Sequence, residues 1–128
     1  MRVLLDTHAV IWWVDQDRLL SIASHAAMAD PANELLVSAA TVWEIAIKLG
    51  MAKLSLSMPY RQWMNQALAG LQASLLPITV EYAERQADLP NHHRDPFDRL
   101  LIAQALVEDV PVISADVTFE QYGVARIW

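Results

Sequence analysis

A chain of 128 residues has room for one domain with a substantial core, residues 1–128, and not for two. Without cysteine it can form no disulfide, no thiolate metal site and no cysteine nucleophile. A net charge of −6 argues against indiscriminate nucleic-acid binding, although bound metal and a local basic patch can reverse the sign where it matters.

Val3-Leu4-Leu5 is a short apolar run ending at Asp6, as expected of a buried parallel strand. A helix carrying Trp12 and Trp13 follows from Thr7, and its apolar stretch Ala9–Val14 is far short of the roughly 20 residues of a membrane span. The chain therefore reads as a soluble, cytoplasmic protein. Ser21–Ala29 predicts a second helix, stopped by Asp30-Pro31, and Leu35-Leu36-Val37 a second strand. Ser38–Leu49 reads as a helix with Gly50 as its stop signal. After a loop at 54–59 comes a helix over Tyr60–Leu71 with Trp63, Leu68 and Leu71 inward. Leu75-Leu76-Pro77-Ile78 is a strand candidate, with Pro77 marking its end or a sheet edge. Thr79–Leu89 predicts a helix with Tyr82, Ala83 and Ala87 on its inner side.

The next helix is unusual. Asp95 suits the N-cap and Pro96 the first helical position. Asp98 then lies in the positive end of the helix dipole, flanked by Arg94 and Arg99. Beyond it Leu100, Leu101 and Ala103–Leu106 make the helix apolar nearly all round, so it should lie deep. Val112-Ile113-Ser114 and Val124–Trp128 supply the last strands. Short apolar strands alternating with helices predict an α/β fold, a parallel sheet covered on both faces.

In such sheets functional residues gather beyond the carboxyl ends of the strands. Asp6, Glu44, Asp98 and Asp116 can all reach that edge. Each also has a local explanation. Glu44 fits a capping box with Thr41, or an i,i+4 pair with Lys48. Asp98 suits the helix dipole, and Asp116 could cap a short helix at Val117–Gln121. Asp6, ending a central strand, is the hardest to explain locally. Taken together the four favour function. Two negative charges about 4 Å apart repel by about 4 kcal/mol at an effective dielectric near 20, so such a cluster needs raised pKa values or a cation. Oxygen donors without cysteine select Mg2+ or Mn2+ over zinc. The chemistry that suits such an ion is displacement at phosphorus, which points to a metal-dependent nuclease.

At these residues the chain resembles PIN-domain ribonucleases, specifically the VapC-type toxins of toxin–antitoxin pairs. The matching pieces are Leu4–His8, Ser38–Lys48, His93–Ala103 and Ser114-Ala115-Asp116, in the expected order over nearly the whole chain. The resemblance implies a three-layer fold with a sheet of five parallel strands. It also implies an acidic quartet of Asp6, Glu44, Asp98 and Asp116 around one or two Mg2+ ions. Endonucleolytic cleavage of RNA, a homodimer and a small inhibitory antitoxin are further implications.

In this reading Asp6 and Asp98 make the most direct metal contacts. Glu44 completes the set or orients water, and Asp116 acts through water or a second ion. Lys48, Arg94 and Arg99 are candidates for holding substrate phosphates, and Asp95 is assigned to the N-cap. A metal-free alternative uses His92 and His93 as general acid and base. A phospho-receiver-like module, or a catalytically inactive RNA- or protein-binding module of similar fold, is the alternative from another class. Trp12 and Trp13, with Val10, Ile11 and Val14, make the first helix apolar on several faces, and the face not used by the core is a candidate dimer or antitoxin seam. Trp63 and Trp128 read as packing residues.

Overall fold

Short runs of branched apolar residues build the sheet. The computed structural model describes residues 1–128. Its strands are β1 (Arg2–Leu5), β2 (Glu34–Ser38), β3 (Ser74–Leu76), β4 (Val112–Ile113) and β5 (Arg126–Ile127). They lie in the order β3-β2-β1-β4-β5, and every neighbouring pair is parallel. The helices are α1 (Thr7–Asp15), α2 (Ile22–Ala29), α3 (Ala39–Gly50), α4 (Tyr60–Leu71), α5 (Val80–Ala87) and α6 (Pro96–Glu108).

Successive strand residues point to opposite faces, and here both faces are buried. Val3, Leu5, Leu35, Val37 and Ile113 pack with Val10, Met28, Ile45 and Trp63 in one core. Leu4, Leu36 and Val112 pack with Tyr82, Leu101 and Ile102 in the other. The result is a three-layer α/β fold with the sheet in the middle. Helix α6 is the most deeply set, with every residue from Leu100 to Ala105 buried. Burying one such leucine or isoleucine contributes about 1.5–3 kcal/mol. Asp95 caps this helix by accepting from the Phe97 amide at 2.8 Å, with Pro96 at its first position.

Three expectations need correction. Gly50 is the last residue of α3, and the left-handed conformation falls two residues later, at Ala52. On α5 only Tyr82 is buried, while Ala83 and Ala87 face outward. Its hydroxyl donates to Glu108 at 2.9 Å, so one large side chain anchors this helix to α6. Finally, the apolar face that α1 leaves for a partner is narrower than expected, because Trp12 and Trp13 are each partly covered. Trp12 lies against Trp128 with tilted rings and centroids 5.7 Å apart, Trp13 likewise against His25 at 5.2 Å, and both are packed onto the core. The exposed apolar residues lie elsewhere, at Ile22, Trp43, Leu75, Ile78, Val80 and Val117 among others.

Candidate metal centre

The strand order reverses beside β1. The chain leaves β1 towards β2 and β3 on one side and returns to β4 and β5 on the other. That reversal opens a crevice beyond the carboxyl ends of β1 and β4, the usual ligand position in open parallel sheets. Asp6, the first residue past β1, is seated there by its own amide, which donates to the Ile113 carbonyl at 3.0 Å. Its side chain is buried. Ser114 donates to Oδ2 at 2.7 Å, and the same hydroxyl accepts from the Asp116 amide at 3.0 Å. Oδ1 is buried with no partner at all. Burial pushes the Asp6 carboxyl above its ordinary range, against the opposing effect of the Ser114 bond.

Glu44 approaches from α3 and is also buried. Thr7 donates to Oε1 at 2.7 Å, and Lys48 holds Oε2 at 2.6 Å. Having given its only proton to Glu44, the Thr7 hydroxyl accepts from Thr41 at 3.0 Å. The capping-box reading of Glu44 does not hold. The N-cap of α3 is Ser38, which accepts from the Ala40 amide, and Thr41 is already inside the helix. Nor is Glu44–Lys48 an ordinary surface pair, since one partner is buried.

Asp98 enters from the first turn of α6. Its carboxyl is pushed up to about 8, first by burial and then by the charges of Asp6, Asp95, Glu44 and Asp116. The charges of the other three predicted acids thus all reach Asp98 at this edge of the sheet, while the groups whose ligand atoms lie within 4.8 Å of one another are His93, Asp98 and Asp116. Asp116 behaves differently. Burial raises it, but the amide and side chain of Thr118 and the ring of His93 outweigh that and hold it below its ordinary value. Its Oδ1 caps the short helical turn Val117–Tyr122 by accepting from the Thr118 amide at 2.9 Å.

His93 stands between Asp98 and Asp116, with Nε2 3.1 Å from one carboxylate and 2.9 Å from the other. Its Nδ1 accepts from the Asp95 amide at 3.1 Å. An atom that accepts an amide proton carries none of its own, so the hydrogen-bond network assigns the ring hydrogen to Nε2, which donates to the carboxylates. His92 turns away, with its ring 5.1 Å from that of Tyr122. The two histidines thus diverge, and no acid–base pair forms.

Arg99, expected to hold phosphate, has another task. Its guanidinium donates to the carbonyls of Pro90, His93, Gln86 and Leu89 at 3.0–3.4 Å, and to the Tyr122 hydroxyl at 3.4 Å. It fastens the loop before α6 to the end of α5. Arg94 is exposed and forms no ion pair. With Lys48, Lys53 and Phe97 it lines a shallow hollow of about 370 Å³. Lys48 and Lys53 also border a second hollow of about 400 Å³ beside His8 and Trp12.

Sequence reasoning assigned no role to Thr7, Ser114, Lys53 or Tyr122. The signal for two of them was present: Thr7 adjoins Asp6, and Ser114 follows the strand paired with β1 through Leu5 and Ile113. The donor set suits a hard divalent cation. It is rich in carboxylate oxygen, one buried oxygen lacks a partner, and several negative charges converge with only Lys48 to balance them directly.

Similarity to known proteins agrees with this architecture. The family model described as the PIN domain matches residues 3–125. Ribonuclease VapC22 of Mycobacterium tuberculosis is 30% identical over 115 residues, covering 89% of this chain and 86% of that protein. Among solved structures, VapBC2 from Rickettsia felis, bound to a DNA fragment from their promoter, aligns with a TM-score of 0.74 at 11% identity, covering 98% of this chain and 97% of that one. VapBC-1 from nontypeable Haemophilus influenzae aligns with a TM-score of 0.67 at 18% identity, covering 98% and 96%. With the five-stranded parallel sheet and the carboxylates at its switch point already in place, these matches establish that the chain belongs to the PIN-domain family, as a VapC-type member.

Proposed function

We propose that this chain is a divalent-metal-dependent endoribonuclease, the toxin of a toxin–antitoxin pair, with residues 1–128 acting as one catalytic unit. The observation that carries the reading is the orphaned, buried Oδ1 of Asp6 within a cluster that pushes Asp98 up to about 8. Asp6 and Asp98 would hold Mg2+ or Mn2+ most directly, with Glu44 and Asp116 completing the set. Bound there, such an ion lowers the pKa of water and offsets charge on the phosphate oxygens.

The chain's own residues prepare that site. Ser114 and Thr7 aim Asp6 and Glu44, while Lys48 holds the second oxygen of Glu44 in place. The bond to Glu44 also holds the Lys48 ammonium above its ordinary pKa, against the opposing effect of burial. Arg94, Lys53 and the partly exposed Lys48 flank the acidic crevice and suit the phosphates of a single strand. Kinship with VapC22, named a ribonuclease, supports RNA as substrate. The VapBC assemblies among the structural relatives support a protein antitoxin as partner, and a homodimer is what the resemblance to VapC-type toxins implies.

The test is cleavage of total RNA with Mg2+ and with chelator, alongside Asp6→Ala, followed by mapping of the ends. Cleavage that needs the ion, is lost in the variant and leaves a 5′-phosphate supports the proposal. Metal-independent cleavage leaving a cyclic phosphate would overturn it.

A further inference from the structure

Metal centres depend on the groups that orient their ligands as well as on the ligands themselves. Three residues outside the acidic set form such a support. The Tyr122 hydroxyl accepts two consecutive loop amides, from His92 at 2.9 Å and His93 at 2.7 Å. Arg99 grips the same loop through Pro90 and His93 and also reaches that hydroxyl. Held at both its backbone and its Nδ1, the His93 ring presents Nε2 to Asp98 and Asp116 together.

We propose that His93 is a positioning residue for the metal centre, one that donates from Nε2 to the facing oxygens of Asp98 and Asp116 and is itself aimed by the Tyr122 hydroxyl. Without this donor, two carboxylates from different parts of the chain face each other with nothing to fix their separation. Asp116 makes the point clearly. Thr118 takes one of its oxygens, and His93 alone orients the other. A role as ligand needs a bare Nε2, which conflicts with the proton that the Asp95 amide assigns to it. The inference rests on the metal-binding reading of the site, and its test separates the two.

The experiment has two arms on the purified full chain. In the first, 15N spectra of the imidazole in ion-free protein are expected to show His93 protonated at Nε2 in the wild type, and to shift towards a tautomer mixture in Tyr122→Phe. In the second, Mn2+ binding is measured by calorimetry. His93→Ala is expected to bind about 10–100-fold more weakly. His93→Gln keeps an N–H near the Nε2 position and is expected to restore most of that affinity. Tyr122→Phe loses part of it, and the double variant Tyr122→Phe/His93→Ala binds no more weakly than His93→Ala alone, because both act through one ring.

A proton on Nδ1, a His93→Gln variant as weak as His93→Ala, or losses that multiply in the double variant would overturn the proposal. If wild-type protein took up no Mn2+, the metal reading itself would fail. The spectral comparison of wild type with Tyr122→Phe would still decide whether the tyrosine aims the ring.

Discussion

The Ser114 hydroxyl lies 2.7 Å from Oδ2 of Asp6, joining two buried residues 108 positions apart in the chain. It is the only side-chain donor that the Asp6 carboxylate has, because Oδ1 has none. Ser114→Ala is therefore expected to cost about 1–3 kcal/mol of stability, the range for leaving a buried polar group unsatisfied. It should also push Asp6 further towards its neutral form. Urea unfolding at neutral pH measures the first effect, and an unchanged midpoint would show that water takes over from the serine.

Asp98 ties stability to pH. Its carboxyl sits at about 8 in the folded chain against an ordinary 3.8, so between those values the folded state keeps a proton that the unfolded state releases. The stabilisation is complete below about pH 4, is lost as pH rises through the window and levels off above 8. Asp6, also raised, acts in the same direction, whereas the lowered Asp116 contributes only below 3.8. In chelator, the unfolding midpoint is expected to fall from pH 4 to 8, and Asp98→Asn should remove most of the slope. Saturating Mg2+ should raise the midpoint most at the alkaline end, where both carboxylates are free to bind it. A flat profile in chelator would contradict the assignment.

Asp95 and Asp98 stand three residues apart and do different work. Asp95→Ala removes the acceptor for the Phe97 amide and is expected to cost about 1 kcal/mol while largely sparing RNA cleavage. The backbone amide that holds His93 survives this change. Asp98→Ala is expected to abolish cleavage and leave the melting temperature unchanged or higher, because it relieves repulsion. Thermal unfolding and a cleavage assay on both variants distinguish the roles, and the reverse pattern would exchange them.

The arginines divide in a similar way. Arg94→Ala and Lys53→Ala are each expected to weaken RNA binding and to flatten its dependence on salt by about 0.7 in log–log slope, the value for one phosphate contact on a single strand. Arg99→Ala should leave that slope alone and lower the melting temperature, since its donors serve backbone carbonyls. Arg99→Lys is expected to rescue little, because an ammonium cannot reproduce the fork. Binding of a short RNA to a cleavage-deficient Asp6→Ala background, measured over a range of salt, separates the two classes.

Away from the site, Gln72 closes α4 in the left-handed region at φ 50°. Gln72→Gly is expected to stabilise the chain by about 1 kcal/mol, since glycine takes that conformation without the steric cost of a Cβ. Chemical denaturation checks this, and a loss of stability would mean that the glutamine side chain contributes more than its backbone costs.

Most of the scaffold was legible in the sequence because its signals are local. The apolar runs ending in Asp6 and Ser38, the caps at Asp95 and Asp116, and the all-round apolar α6 each carry their own explanation. Four acids at strand ends and helix starts could be expected at one edge from topology alone. What was hidden depends on long-range contact. Nothing near His93 reveals that Tyr122, 29 residues later, fixes its backbone. The composition of α1 gives no sign that Trp128 lies against Trp12 and covers part of its apolar face. Arg99 reads as a candidate for holding phosphate beside Asp98, yet its guanidinium reaches the preceding loop.

The central position of β1 has a consequence for synthesis. The first strand made keeps one edge open until late, since β4 arrives beside it only after about residue 110 has been added. Parallel pairings over such separations close slowly and late. A nascent chain still on the ribosome carries Asp6 and Glu44 without Ser114 or Asp116, so the acidic crevice is assembled only when the final stretch emerges.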